Sequence, residues 1–188
     1  MQILLHLGFP KTASSSLQFN VFENLEKNKK IKFFTWRKKN KNEPLKFRPS
    51  SRLFLKKKIL KKYLDFSKKK LNVLSDESFT IPKKIRTFNF GKKIINPNLF
   101  PKIIRNQIQK KFNKEDIKFK VLMVVRNQSD LIFSQYIEEY NLKEFKNIDI
   151  LFKKKKIDCN NFRIYKFYKY YQNICAVFKK ENVKVLFY

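Results

Sequence analysis

The chain has 188 residues, of which 43% are hydrophobic and 16% aromatic, and its formal net charge is +30. This length fits one domain over residues 1–188 with a packed core, and no apolar run approaches the roughly 18 residues that a membrane span needs. No charged leader with a small-residue cleavage site precedes the first apolar run, so no signal peptide is expected.

The cysteines and the histidine are too few and too scattered for a structural zinc site. Cys159 and Cys175 are isolated from each other, and His6 is the one histidine of the chain. No Cys-x-x-Cys spacing occurs, so we expect no metal. Two free thiols fit a reducing compartment, and we therefore expect a cytoplasmic protein.

The excess of positive charge has two interpretations. It comes from 45 Lys and Arg against 15 Asp and Glu, mostly lysines spread over the whole chain. One interpretation is a nucleic-acid partner. Proteins that recognise specific bases, however, favour arginine, because its guanidinium group forms bidentate hydrogen bonds to a base. The other reading is compositional, because a chain rich in Lys, Asn, Ile and Phe is typical of an AT-rich coding sequence. We expect no specific nucleic-acid partner, although the field should attract polyanionic ligands in a salt-dependent way.

Residues 3–18 read as a strand, a tight loop and the start of a helix. Gly8, one of two glycines in the chain, permits a turn or a close approach at the end of the apolar run. Residues 13–16 are small, and their backbone N–H groups would point out of a helix N-terminus, where an anion is favoured. Lys11 adds a positive charge. The pattern predicts a phosphate- or sulfate-binding loop, and a serine-capped helix start is the alternative.

The order Pro10-Lys11-Thr12-Ala13-Ser14-Ser15-Ser16-Leu17-Gln18 resembles the loop of sulfotransferases of the bacterial and carbohydrate type. These enzymes use 3′-phosphoadenosine 5′-phosphosulfate (PAPS), and their loop commonly reads P-K-T-G-T-T-x-L-Q. The ATP-binding pattern G-x-x-x-x-G-K-[ST] would need glycine and lysine where Ala13 and Ser14 stand, so a nucleoside triphosphate fits poorly. The resemblance implies that Lys11, Thr12, Ala13, Ser14, Ser15 and Ser16 bind PAPS and that Lys11 is also catalytic.

The next elements are predicted from apolar spacing and from breakers. A first helix is expected over about 14–28 and a short strand over 31–36. Residues 37–50 contain two prolines and read as a loop. Residues 53–66 predict a basic amphipathic helix, whose lysines are either a solvated face or a contact with a membrane or an acidic partner.

Residues 71–74 predict a buried strand, which is followed at once by Ser75-Asp76-Glu77-Ser78. Carboxylates at the carboxyl end of a parallel strand lie where open α/β sheets bind ligands. A similar S-x-E often ends a strand in the sulfotransferases, and the resemblance implies that Glu77 deprotonates the acceptor hydroxyl. The alternative is that Asp76 and Glu77 cap the start of the following segment.

The second half of the chain carries the other part of the resemblance. A helix over 99–112 precedes the run 119–125, whose valines predict a strand buried on both faces. Ser129 or Asp130 is expected to cap the next helix. Sulfotransferases carry a strand that ends in Arg and, about two helical turns later, a Ser, and both hold the 3′-phosphate of PAPS. Arg126 and Ser134 stand at that spacing.

The remaining segments complete the predicted sheet. Residues 80–98 form a long irregular connection, a candidate for contact with the acceptor. Residues 143–161 read as a basic loop, 162–180 as an aromatic helix and 182–188 as a last strand. Family members usually continue beyond this point with a segment that encloses the adenine, so we expect either a compact variant without it or a C-terminally truncated chain.

These elements predict an α/β protein, and by resemblance a three-layer α/β/α P-loop-type fold with a mostly parallel sheet of about five strands. His6 is expected to be a strand residue with satisfied ring nitrogens that does not face the loop. The expected function is transfer of a sulfuryl group from PAPS to a hydroxyl or amine of a small-molecule or carbohydrate acceptor. The alternatives are a divergent P-loop kinase and a non-catalytic basic protein that binds nucleic acid or anionic polysaccharide.

Overall fold

The computed structural model describes residues 1–9, 12–35, 64–76, 79–80, 100–113, 116–141 and 166–188. Five strands and five α-helical segments alternate along this part of the chain. They are β1 (Gln2–Gly8), α1 (Ser14–Ser16), α2 (Glu23–Lys27), β2 (Ile31–Thr35), β3 (Leu71–Ser75), α3 (Phe100–Lys111), β4 (Lys118–Val125), α4 (Gln128–Asn141), α5 (Phe167–Phe178) and β5 (Val183–Phe187).

The five strands form one sheet in the order β2-β3-β1-β4-β5, and every neighbouring pair is parallel. The prediction of an α/β fold with a parallel sheet of about five strands is confirmed. From β1 the chain runs to β2 at one edge of the sheet and returns to β3, which lies between β2 and β1. It then crosses to β4 on the other side of β1. The strand order therefore reverses between β1 and β4, and open α/β sheets bind ligands in the crevice at such a point.

Both faces of the sheet are buried, which accounts for the apolar strands. Ile3, Leu5 and Leu7 of β1 pack in the larger core cluster together with residues of α3 and α5. Leu4, on the opposite face of β1, packs in a second cluster around Phe22 of the first helical region. Side chains alternate between the two faces of a strand, so a strand covered on both faces reads as a continuous apolar run.

The predicted helix over 14–28 is present, but it is not α-helical throughout. A π-helical stretch, Leu17–Phe22, joins α1 to α2, and the N–H of Glu23 bonds the carbonyl of Gln18 five residues back. The wide turn leaves Gln18 and Phe22 both buried against the sheet. Inserted π turns of this kind occur often at functional sites.

The end of α2 is closed by a pair of backbone bonds. Lys29 N–H bonds the carbonyl of Glu26 at 2.8 Å, and Lys30 N–H bonds that of Leu25 at 2.9 Å. This is the Schellman arrangement, and its left-handed position, usually glycine, is held by Lys29 at φ 57°. The two glycines of the chain, Gly8 and Gly91, stand elsewhere, and here a lysine adopts the conformation.

Two sequence predictions about element ends are wrong. Residues 64–66 are not helical, because Leu64 is buried in the core and Asp65 forms an ion pair with Lys32 of β2 just before the turn into β3. The cap of α4 is Asn127, not Ser129 or Asp130: its Oδ1 accepts hydrogen bonds from Ser129 N at 3.0 Å and from Ser129 Oγ at 2.6 Å. An asparagine one position before the helix offers the acceptor that these donors need.

Several predictions fall outside the described residues and cannot be compared with the structure. They concern the loop over 37–50, the basic helix up to residue 63, the irregular connection from residue 81 onward, the basic loop over 143–161 and the start of the aromatic helix. The described part of the aromatic helix is α5, which ends at Lys179 with φ 69°. None of the helices in the described ranges combines the length and apolar content that crossing a bilayer requires.

Candidate functional site

The candidate site lies at the carboxyl edge of the sheet, where β1 and β4 end side by side. Gly8 pairs with Val124, so the chain leaves β1 and enters the loop next to the last residues of β4. Arg126 follows β4 directly. The register brings the two halves of the predicted site, the loop and the arginine, to neighbouring strand ends at the crevice where the strand order reverses.

The loop turns back on itself through Thr12, which is fully buried. Its Oγ1 donates to the carbonyl of Phe9 at 2.6 Å, and its N–H bonds the same carbonyl at 3.3 Å. Ala13 then adopts a left-handed conformation, φ 53° and ψ 18°, and Ser14 begins the helix. A left-handed residue beside right-handed ones turns successive N–H groups toward one side, which forms a concave anion-binding nest.

Ala13 stands where the loop that this chain resembles has glycine, and it takes the conformation that glycine allows most readily. A left-handed alanine costs roughly 1 to 2 kcal/mol, so its neighbours must hold it there. Ala13 is itself the N-cap of the helix and makes no side-chain cap bond. The alternative interpretation, an ordinary helix start capped by serine, is therefore wrong.

Gly8 is required by a close approach between the strand and the helix. A Cβ at position 8 would lie 2.7 Å from Cβ of Ser14, well inside van der Waals contact. The same Cβ would lie 3.5 Å from the Cε1 and Nε2 atoms of His6, at ordinary contact distance. Only a residue without a side chain lets β1 pass so close beneath Ser14, which is 2% exposed.

A buried polar cluster lies under the loop, and it was not predicted. The hydroxyl oxygen of Ser75, at the end of β3, is 2.7 Å from Nδ1 of His6 and accepts a hydrogen bond from Nε2 of Gln18, also at 2.7 Å. The ring tautomer decides whether His6 Nδ1 accepts the hydroxyl proton or donates to the hydroxyl oxygen, which has room for two donors. The cluster joins β1, β3 and the first helical region through one hydroxyl.

His6 is therefore only half satisfied, contrary to the prediction. Its Nε2 is buried and has no hydrogen-bond partner among the described residues, and this edge of the ring faces Gly8. Burial lowers the pKa of His6 from 6.5 to about 4, so the imidazole is neutral at pH 7. Its ring also packs edge to face with Phe22, with centroids 5.4 Å apart.

The segment after β3 is tied to the start of the loop. Asp76 is 4% exposed, and its carbonyl accepts a hydrogen bond from Phe79 N at 3.0 Å. Thr80 Oγ1 donates to the carbonyl of Gly8 at 2.7 Å. The predicted base, Glu77, lies inside this tethered segment but outside the described residues, as do Pro10 and Lys11 of the loop.

Arg126 is half-buried, and its guanidinium carbon lies 5.7 Å from the ring centroid of Tyr188. This is within the range of a cation–π contact. Tyr188 is placed there by the bond from its N–H to the carbonyl of Val125 at 2.9 Å, one residue beyond β5. Ser134 is half-buried on α4, about two turns after Asn127.

Comparison with known proteins shows similarity in structure. No family model matches the sequence, and no curated protein matches it. The crystal structure of a sulfotransferase from Alicyclobacillus acidocaldarius matches with a TM-score of 0.53 and 15% identity, over 98% of this chain and 72% of that one. At this identity the likeness shows the fold, and the prediction of a fold shared with sulfotransferases is confirmed.

The Gly8–Ser14 contact predicts a non-additive pair of substitutions. Gly8→Ala should lower the free energy of unfolding by about 2 kcal/mol, because the added Cβ overpacks the strand–helix contact. Ser14→Gly removes the atom that it would strike, so the double variant should be at least about 1 kcal/mol more stable than the sum of the single effects. Urea unfolding of the four proteins measures this coupling, and simple additivity would contradict the close approach.

The depressed pKa of His6 predicts a pH dependence of stability. The unfolded chain takes up the histidine proton near pH 6.5 and the folded protein only near pH 4, so stability falls as the pH drops through this window. The loss between pH 7 and pH 5 should be about 2 kcal/mol. His6→Gln keeps a polar side chain but does not titrate, and its urea unfolding should lack this component. Equal pH slopes in the two proteins would show that His6 is not buried as a neutral ring.

Proposed function

We propose that this protein is a PAPS-dependent sulfotransferase that transfers a sulfuryl group to a hydroxyl or amine, with a carbohydrate-like acceptor. The observation that carries the proposal is the left-handed Ala13, which gives the loop after β1 the backbone of an anion-binding nest. The loop follows Gly8, which pairs with Val124 two residues before Arg126. The sulfotransferase-like fold supports the proposal at the level of architecture.

In this proposal the two strand ends hold opposite ends of one nucleotide. The amides and hydroxyls of residues 13–16 and the ammonium group of Lys11 bind the 5′-phosphosulfate, because a helix N-terminus with a nearby cation favours a compact anion. Thr12 shapes the loop instead, since its N–H and its hydroxyl both bond the carbonyl of Phe9. Arg126 and the hydroxyl of Ser134 bind the 3′-phosphate, for which a guanidinium offers two parallel hydrogen bonds. A nucleotide with one phosphate would occupy only half of this site.

The reaction itself would be an in-line transfer. An oxygen or nitrogen of the acceptor forms a bond to sulfur while the bond from sulfur to the 5′-phosphate oxygen breaks, and 3′-phosphoadenosine 5′-phosphate (PAP) leaves. Negative charge grows on that phosphate oxygen, where Lys11 and the loop amides are placed to neutralise it. Preorganised donors of this kind typically contribute about 10²–10³-fold each in rate.

Glu77 is proposed as the general base that takes the proton of the acceptor. It lies between Asp76, whose carbonyl bonds Phe79, and Thr80, whose hydroxyl bonds the carbonyl of Gly8. The first bond closes a turn within the segment, and the second tethers its end to Gly8, the last residue of β1. This tether beside the loop supports the choice of Glu77 as the base.

Stabilisation by ligands tests the proposal without knowledge of the acceptor. At 150 mM salt, PAP at 100 times its dissociation constant should raise the free energy of unfolding by about 2.7 kcal/mol, seen as a higher melting temperature. Lys11→Ala and Arg126→Ala should each remove most of this shift, because each removes one of the two cationic contacts. Lys102→Ala, an exposed lysine of α3, is the matched control and should keep the full shift.

Three outcomes would contradict the proposal. A larger shift with ATP and Mg²⁺ than with PAP would favour a kinase, and a larger shift with a 20-nucleotide DNA would favour a nucleic-acid-binding protein. An unchanged PAP shift in both Lys11→Ala and Arg126→Ala would show that PAP binds elsewhere.

A further inference from the structure

The edge of the sheet opposite to the candidate site is lined with ammonium groups. All strands are parallel, so every one of them begins at this edge, and the segments that lead into them are basic. We call this surface the amino edge. In the spatial order of the strands it carries Lys29 and Lys30 before β2, Lys68, Lys69 and Lys70 before β3, the amino group of Met1 before β1, Lys118 at the start of β4, and Lys179 and Lys180 before β5.

The central turn of the amino edge is rigidly built. Ser67 Oγ accepts hydrogen bonds from the backbone N–H groups of Lys69 at 3.3 Å and Lys70 at 3.1 Å. The fully buried Asn72 accepts a bond from Ser67 N at 2.7 Å and donates to the carbonyl of Ser67 at 2.8 Å. The same amide donates to the carbonyl of Gln2 at 3.0 Å, which fixes the turn against the central strand.

Two clefts lie beside this turn. The first has a volume of about 270 Å³ and lies between the turn and the start of β4, with Met1, Lys68, Lys69 and Lys118 in its lining. The second, of about 310 Å³, lies on the other side of the turn and is lined by Lys29, Lys32 and Lys70 among others. The two clefts share Lys70 and so run as a continuous basic surface along the edge.

The carboxylates near these clefts do not cancel the charge. Asp65 is engaged in an ion pair with Lys32. Glu26 accepts a bond from the backbone N–H of Phe33 at 3.1 Å, which directs one of its oxygens to the backbone. Asp116 lines the first cleft, where the N-terminal ammonium group donates to its main-chain carbonyl at 2.6 Å. The cationic groups that line the two clefts outnumber these three carboxylates.

We propose that the amino edge is a binding surface for an anionic polysaccharide, a chain whose sugar rings carry carboxylate or sulfate groups. Neighbouring strands of a sheet lie about 4.8 Å apart. Ammonium groups that follow such a row of strand starts can meet charges repeated along a polymer. This proposal does not rest on the transfer reaction, because β4 has eight residues and its two ends are about 25 Å apart.

The chemistry of the edge favours a polysaccharide over a nucleic acid. The described segments that lead into the strands contain no arginine and no exposed aromatic ring. Proteins that bind single-stranded nucleic acids combine positive charge with aromatic rings on which bases stack, and base readers in duplexes favour arginine. Clefts of this volume accept a sugar ring with its anionic group, whereas a rigid duplex would only rest across them.

The experiment compares two triple variants that remove the same charge from different places. One is Lys68→Ser, Lys69→Ser, Lys70→Ser in the turn of the amino edge. The other is Lys102→Ser, Lys166→Ser, Lys169→Ser at the first turns of α3 and α5, at the opposite end of the sheet from the amino edge. Fluorescence anisotropy with a labelled heparin decasaccharide, from 50 to 300 mM salt, measures affinity and its salt dependence. Thermal melting first verifies that both variants fold.

The turn variant should bind the decasaccharide about 10-fold more weakly or worse at 150 mM salt, and its slope of log affinity against log salt should fall by about two to three. The control variant should change affinity by less than about two-fold, because its charges act on the edge only at long range through screened solvent. The PAP-induced melting shift should be the same in the turn variant as in the parent protein.

Three results would overturn the proposal. Equal weakening in both variants would show that total charge, not the edge, attracts the ligand. Unchanged binding in the turn variant would place the ligand elsewhere. Tighter binding of a 20-mer of thymidine than of the decasaccharide, lost in the turn variant, would make the edge a nucleic-acid surface. Absence of any PAP shift alongside edge-specific decasaccharide binding would count against the sulfotransferase proposal alone.

Discussion

The contact between Gly8 and Ser14 is the constraint on which the candidate site depends. A side chain at position 8 would collide with Ser14 at 2.7 Å, so β1 and the first helical region can approach only because Gly8 has none. That approach brings the helix start directly over the end of the central strand. Ala13 bridges the two and must adopt φ 53° to do so. The anion-binding geometry is therefore a consequence of close packing between a strand and a helix.

Buried hydrogen bonds hold this arrangement from the side of β3. The carbonyl of Gly8 accepts the hydroxyl proton of Thr80, and Ser75 joins His6 to Gln18 beneath the loop. Buried polar groups are costly unless they are paired, so a cluster of this kind fixes the positions of its members. One ring nitrogen, Nε2 of His6, has no partner among the described residues and faces Gly8. An unpaired buried nitrogen raises the free energy of the folded state, and this one lies at the candidate site, where strained groups tend to cluster.

The sequence predicted those features that depend on local pattern. Strands β1 and β4 are continuous apolar runs because both faces of the sheet are covered, and Gly8 and Arg126 mark their ends. Pairing across the sheet is not visible in local pattern, which is why the Ser75 cluster was missed: His6 and Ser75 are 69 positions apart. The left-handed conformation of Ala13 was not predicted either, because alanine normally avoids that conformation and only the surrounding packing enforces it. The predicted roles of Lys11 and Glu77 rest on the resemblance and remain predictions.

The most direct measurement of the central claim is a crystal structure of the protein with PAP bound. The claim is that one nucleotide with two phosphates spans the ends of β1 and β4. We expect the 5′-phosphate against the amides of residues 13–16 and the 3′-phosphate within hydrogen-bond distance of the Arg126 guanidinium and the Ser134 hydroxyl. PAP bound away from the loop, or bound at the loop with its 3′-phosphate far from Arg126, would contradict the claim.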